Sequence, residues 1–267
     1  MSLNTINGFL VDLDGTIFKG HQLLEGAIEA LNVLRKANKK VAFLSNRGNL
    51  SRKMCLEKLK NAGIEATVEE IILSSRVTAN FLREKYPYSK IWILGEQGLR
   101  DEIGLAGLQL ARQPEEADWL VISLHESVTY HDLNQAFQAT KNGARLIATN
   151  ADKYFPNENG QAIDVAGMIG AIEASTGKRV EMVIGKPSFL MAEVALRQLG
   201  LGAEECLMIG DSYESDIAMG RMFGMKTALV LTGSSLRETI PPYSYQPDYT
   251  WKSIAAVGTL LKEGSIL

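Results

Sequence analysis

Two aspartates one residue apart, Asp12 and Asp14, close an apolar run at 9–13 and are followed at once by Gly15 and Thr16. Alternation along a strand would turn both carboxylates to one side. Carboxylates at the end of a buried strand are costly to desolvate unless positive charge meets them, and a divalent cation would do so. Gly15 permits tight backbone geometry just after them. Taken alone, Asp-x-Asp-Gly reads equally well as a solvated turn. Three further clusters change the balance. Ser45-Asn46-Arg47-Gly48 ends a second apolar run and offers a hydroxyl, an amide and turn N–H groups, a cradle for oxyanions. Lys186 follows a third run in Gly185-Lys186-Pro187-Ser188, before a proline that can start a helix, and can pair with carboxylates and phosphate. Gly210-Asp211-Ser212 closes a fourth run, and Asp216 follows it; both acids suit a hard cation. Each cluster also has an ordinary reading as a turn, a surface lysine or a solvated acid. The combination is far more specific than its parts.

The elements that must position these residues are legible as alternating patterns. Runs at 9–13, 40–44, 71–73, 182–184, 206–209 and 227–231 are short and nearly all apolar, as parallel strands covered on both faces must be. Helical patterns lie between them. Ser51 is placed to cap a helix that Gly63 ends, and Ser188 one that Gly200 ends. The alternation predicts an α/β fold, a doubly wound parallel sheet of Rossmann-like kind with right-handed crossovers. Such sheets bind ligands at the carboxyl ends of their strands, where the four clusters lie. A second set of runs at 90–94, 119–123 and 145–148 alternates with helical patterns near 96–105, 131–141 and 165–175, the middle one opened by Thr129 and Asp132. Residues 150–164 read as a polar loop, and 241–248, rich in proline and tyrosine, as surface coil.

The clusters at 12–16, 45, 186 and 210–216 resemble the four motifs of the haloacid dehalogenase superfamily. The long insert between the second and third looks like the α/β cap of its NagD-type members. Ile184-Gly185-Lys186-Pro187-Ser188 and Ala148-Thr149-Asn150-Ala151-Asp152 carry that likeness, and Leu44-Ser45-Asn46-Arg47-Gly48-Asn49 is similar to a sugar-phosphatase branch of the group. The resemblance covers essentially the whole chain. It implies a catalytic core at 1–86 and 182–267 and an inserted cap at 87–181. It implies that Asp12 is the nucleophile that becomes phosphorylated, and that Asp14 is the acid for the leaving alcohol and then the base for water. It implies Mg2+ held by Asp12, the backbone carbonyl of Asp14 and Asp211, with Asp216 one step removed from the ion or reaching it through water. Ser45, Asn46 and Lys186 would bind the phosphoryl oxygens. Asp14 favours a phosphatase or mutase over the dehalogenases and transport ATPases, which lack an acid at that place. Pyridoxal-phosphate phosphatases of this type carry a histidine in the segment matching 150–164; this chain has none there, which counts against that substrate. Asn150, Asp152, Lys153 and Asp164 are candidates for sugar hydroxyls or a plain polar loop.

Bulk properties exclude other classes. A net charge of −3 gives no electrostatic footprint for nucleic acid. No apolar run approaches the ~20 residues of a membrane helix, and no basic-then-apolar leader opens the sequence. Two cysteines, Cys55 and Cys206, make no disulfide framework and read as reduced packing residues. A cytoplasmic enzyme for small phosphorylated metabolites is expected, a homodimer through the cap by the same resemblance. A phosphatase for nucleotides or phosphoglycolate stays open as an alternative. So does a phospho-aspartate regulatory protein, although such a protein has no need of Asp14 to protonate an alcohol.

Overall fold

The computed structural model describes residues 3–157, 159–234 and 246–263, and of residues 4, 262 and 263 the backbone alone. Its elements begin with β1 (Gly8–Val11), a hairpin of β2 (Phe18–Lys19) and β3 (Gln22–Leu23), α1 (Ala27–Lys36), β4 (Lys40–Ser45), α2 (Arg52–Asn61), β5 (Ile71–Leu73) and α3 (Ser74–Lys85). The middle contributes β6 (Lys90–Leu94), α4 (Gln97–Leu105), β7 (Gln109–Leu110), β8 (Trp119–Ile122), α5 (Tyr130–Lys141), β9 (Arg145–Ala148), the strands β10 (Tyr154–Asn157) and β11 (Gly160–Ile163), and α6 (Val165–Thr176). Then come β12 (Met182–Val183), α7 (Phe189–Leu199), β13 (Cys206–Gly210), α8 (Ala218–Met222), β14 (Lys226–Val230), β15 (Tyr249–Trp251) and α9 (Ala256–Glu263).

One sheet has the strand order β15-β14-β13-β1-β4-β5 and a second has β12-β9-β8-β6-β7, and every pairing in both is parallel. Side chains alternate across each sheet and fill two faces. In the first sheet, Phe9, Val11 and Phe43 pack with Leu31 and Leu34 of α1, Leu59 of α2 and Val257 of α9. Leu10, Ala42, Leu44 and Met208 pack the other way, with Val77 and Leu82 of α3, Met191 of α7 and Met219 of α8. That second cluster runs on into the cap sheet through Ile91, Trp119, Val121 and Ile147, so core and cap share one apolar body. Each fully buried side chain of this size contributes roughly 1.5–3 kcal/mol. The far face of the cap sheet is covered by α5 and α6 through Ala136, Ala139, Met168 and Ile172.

The capping signals behave as expected. Ser51 Oγ accepts from Met54 N at 3.3 Å and Ser188 Oγ from Met191 N at 3.2 Å, while Gly200 takes the left-handed C-terminal position with φ 61°. Thr129 and Asp132 form a reciprocal box at the start of α5. Three expectations need correction. The run at 182–184 is not a strand of the core sheet: Met182 and Val183 pair with Ile147 and Ala148 at the edge of the cap sheet, because β13 and β4 already flank β1. The chain passes into the core only after it, at Gly185 and Lys186. The proline after Lys186 lies one residue ahead of the Ser188 cap rather than at the first helical position. The segment 150–164 is not a plain loop, since β10 and β11 form an antiparallel pair. Residues 241–245 of the expected coil lie outside the described residues; 246–248 lead without regular structure into β15, which the sequence reading had not anticipated.

Candidate active site

β13, β1 and β4 are neighbours in one parallel sheet, so their carboxyl ends bring Asp211, Asp12 and Ser45 together. Lys186 arrives from the cap edge and is buried, 3% exposed. Its Nζ donates to Asp12 Oδ1 at 2.6 Å, to Asp216 Oδ1 at 2.6 Å and to the Leu44 carbonyl at 3.0 Å. Carboxylate oxygens of Asp12, Asp211 and Asp216 all lie within 4.8 Å of one another. Asp216 Oδ2 also accepts from Ser212 N at 3.0 Å, so both its oxygens have partners, as an acid one step removed from a metal would. Asp211 accepts from Ser234 N, and Gly15, at φ 86°, leaves room for it where a Cβ would collide with its carboxylate.

The electrostatics follow from this crowding. Burial pushes the Asp12 carboxyl well above its ordinary range against the pull of Lys186, and Asp216, Asp211 and Asp14 push the same way. Burial, then the charge of Asp216, carries Asp211 up to about 7. Burial works to discharge Lys186, but Asp12 and Asp216 hold it firmly protonated. Three buried carboxylates beside one lysine are ionised together most easily around a further cation. An all-oxygen donor set at this spacing fits a hard divalent ion.

Asp14 faces elsewhere. Its carboxylate is gripped by the Arg47 guanidinium, Nε to Oδ2 at 2.9 Å and Nη2 to Oδ1 at 3.2 Å, with Lys58 Nζ 4.0 Å away. Burial works to raise this carboxyl, and Arg47 with Lys58 outweighs it, so the net shift is downward. The carboxylate is thus engaged by Arg47 and is not part of the Asp12, Asp211 and Asp216 cluster, which leaves its backbone carbonyl for the metal role the resemblance implies. Ser45 is buried and lines the cleft; its Oγ accepts from Arg47 N at 3.1 Å. Asn46 also lines the cleft, but its amide is committed to a bracket. Oδ1 accepts from Lys186 N at 2.7 Å, and Nδ2 donates to Lys186 O at 3.2 Å and to Asp152 Oδ2 at 2.8 Å.

The cleft, about 160 Å³, is walled on the cap side by Asp152, Lys153, Tyr154, Phe155 and Asp164. Asn150 does not line it: buried at 1% exposure, it donates to Asn46 O and Asp152 at the junction of cap and core. Arg47, which the sequence reading left without a role, sits in the cleft with its guanidinium 4.0 Å from the Phe155 ring. Its position within the oxyanion cradle is the available signal; its partner Asp14 is 33 residues away and gives none.

A family model described as haloacid dehalogenase-like hydrolase matches residues 9–109, and one for related HAD-type hydrolases matches 183–257. Among curated proteins, sugar-phosphatase AraL of Bacillus subtilis is 61% identical over 260 residues, 97% of this chain and 95% of that protein. The 5'-nucleotidase YutF of the same organism is 33% identical, over 94% of this chain and 97% of its own. Among solved structures, the p-nitrophenyl phosphatase from Archaeoglobus fulgidus superposes with a TM-score of 0.87 at 34% identity, covering 95% of this chain and 98% of that one. Kinship along nearly the full length and acids gathered at the ends of β1 and β13 lead to one assignment: the chain belongs to the haloacid dehalogenase-like hydrolases, in their NagD-type capped group.

Proposed function

We propose that this chain hydrolyses sugar phosphates through a phosphorylated Asp12, with residues 1–86 and those from about 185 onward as core and the insert between them as cap. The observation that carries the reading is the buried Asp12, bonded to Lys186 and grouped with Asp211 and Asp216, with Asp14 two residues along the same turn. The name of the 61%-identical relative, a sugar phosphatase, supports the substrate class.

Asp12 attacks phosphorus, and the leaving alcohol departs with a proton from Asp14. Lys186, Ser45 Oγ and the N–H groups of the Asn46–Arg47 turn hold the phosphoryl oxygens. Water then attacks the acyl phosphate as Asp14 takes its proton, dividing a very slow hydrolysis into two displacements. Asp14 begins below its ordinary range, and the negative charge of a bound phosphate raises it toward the protonated form the first step needs. A magnesium ion, held by Asp12, Asp211 and the Asp14 carbonyl, would offset the repulsion between carboxylate and phosphate. Tyr154, Phe155 and Asp164 on the cap face the leaving group. Among the described residues no helix is long and apolar enough to cross a membrane. We place the enzyme in the cytoplasm and, through its cap, in a homodimer.

The test is phosphate release from pentose, hexose, triose and nucleotide monophosphates with Mg2+, with EDTA, and after re-addition of Mg2+. Sugar phosphates are expected to lead, with loss in EDTA and recovery on Mg2+. Full rates after rigorous chelation would remove the metal, and preferential turnover of nucleotides would replace the substrate class.

A further inference from the structure

Arg47 lines the cleft with a side chain to which the proposed mechanism gives no part. Lys186 Nζ is bonded to Asp12, Asp216 and the Leu44 carbonyl, which places it beside the nucleophile at the phosphoryl end. Arg47 stands on the other side of Asp14. Its guanidinium is held in place from two directions: the fork onto Asp14 from the core, and the Phe155 ring of the cap strand β10 at 4.0 Å. Nη1 adds a longer contact to Glu126 at 3.4 Å. A guanidinium has five N–H donors; among the described residues three have partners here, which leaves two. The side chain is only 14% exposed, and the residue lines the cleft. A planar donor, fixed in orientation and bordering a narrow cleft, is a recognition element rather than a solvated charge. Its own charge is already met by Asp14, so it offers direction more than net attraction. That suits neutral oxygens, the hydroxyl and ring oxygens of a sugar, rather than a second anion.

We propose that Arg47 is a specificity-determining residue of the core, donating hydrogen bonds to the sugar of the leaving group while Phe155 and Asp14 hold it in register. The assignment rests on the phosphatase reading above. It moves part of substrate selection from the cap to the turn that also cradles the phosphoryl group.

The experiment compares the parent with Arg47→Met and Arg47→Lys on the best sugar phosphate, on p-nitrophenyl phosphate, and in inhibition by inorganic phosphate. Methionine keeps an apolar contact with Phe155 but has no donors. Lysine keeps the charge beside Asp14 but loses the fork, and stands in for methionine if that variant folds poorly. A hydrogen bond from a charged donor is worth roughly ten- to a hundredfold in affinity. Both variants are therefore expected to raise KM for the sugar phosphate by about tenfold or more. KM for p-nitrophenyl phosphate and inhibition by phosphate should move less than about threefold, since each lost bond belongs to the sugar. The same selective loss should appear in sugar-phosphate titrations of the Asp12→Asn background, where turnover does not complicate binding. Equal losses for all three ligands would make Arg47 a phosphoryl-positioning residue and overturn the proposal. So would a fall in kcat for the sugar phosphate at unchanged KM, which would mean Arg47 acts only through Asp14. If the parent turns over no sugar phosphate at all, the functional reading itself fails and takes this proposal with it.

Discussion

At the scale of single residues, the role proposed for Asp14 separates the two steps of the reaction. A sugar alkoxide is a poor leaving group and needs a proton as the P–O bond breaks, whereas p-nitrophenolate needs little such help. Asp14→Asn is expected to slow single-turnover release of the sugar by roughly 10²–10⁴-fold while slowing p-nitrophenol release far less. The asparagine keeps its backbone carbonyl, so Mg2+ affinity should change little. Equal losses on both substrates with unchanged Mg2+ affinity would remove Asp14 as the acid. The acid pairs, Ser45 and Lys186 were legible in sequence because each is a polar exception at the end of an apolar run. Lys186 taken alone reads more readily as a surface residue, yet it is buried, and only the three acceptors gathered around it make that burial tolerable. The commitment of the Asn46 amide to Lys186 and Asp152 was not legible. Its partners come from distant parts of the chain, and no local pattern encodes them.

At the scale of elements, the buried strands were readable and their sheet membership was not. β12 looks like a core strand since both sheets demand the same short apolar run, and only tracing the chain shows that its partner is β9. The pairing of β10 with β11 was hidden by its polar residues and by Pro156, which demotes a strand assignment. Asp164, the residue before α6, makes a testable element. Its Oδ1 accepts from Val165 N at 2.6 Å, and burial, then the charge of Asp152, pushes its carboxyl up to about 7. Its folded value lies above the unfolded 3.8, so as pH rises across that window the unfolded chain releases this proton first. Stability from this group is full below about 4 and falls as pH rises through about 7, by at most about 1.4 kcal/mol per pH unit. Asparagine can still cap α6 and does not titrate. Asp164→Asn should match the parent in Tm near pH 4 and exceed it at pH 8, by about 2–4 °C for each kcal/mol relieved. A Tm difference independent of pH would contradict the burial of an ionised group there.

At the scale of the whole molecule, the cap is built onto the core rather than tethered to it. Glu102 of α4 is fully buried and accepts from Arg52 N at the start of α2 at 2.8 Å, with Arg76 3.6 Å away. Near the start of α4, Gly98 lies against the backbone of Asn49, Leu50 and Ser51, where a Cβ would strike backbone atoms directly. In an exposed helix, glycine to alanine stabilises by up to about 1 kcal/mol. Here the sign should reverse: Gly98→Ala is expected to cost about 1–3 kcal/mol, as overpacking does. It should also lower activity by shifting the turn that bears Ser45 and Arg47. Thermal unfolding checks it, and a stabilised, fully active variant would show that cap and core do not meet so closely. The alternating runs made both α/β units visible in the sequence. The polar side of their contact was not, since Gly98, Glu102 and the bonds of Asn46 to Asp152 and Asn150 have no periodic signature.

The central claim is that Asp12 carries the phosphoryl group. It is tested most directly by acid-quenching the enzyme during turnover of p-nitrophenyl phosphate with Mg2+ and mapping the acyl phosphate by borohydride reduction and peptide mass. The Asp14→Asn background, which lacks the base for the second step, should accumulate the intermediate. The label is expected on Asp12 alone, at close to one group per chain, and absent from a folded Asp12→Asn protein. Sustained turnover by Asp12→Asn, or a label on any other residue, would contradict it.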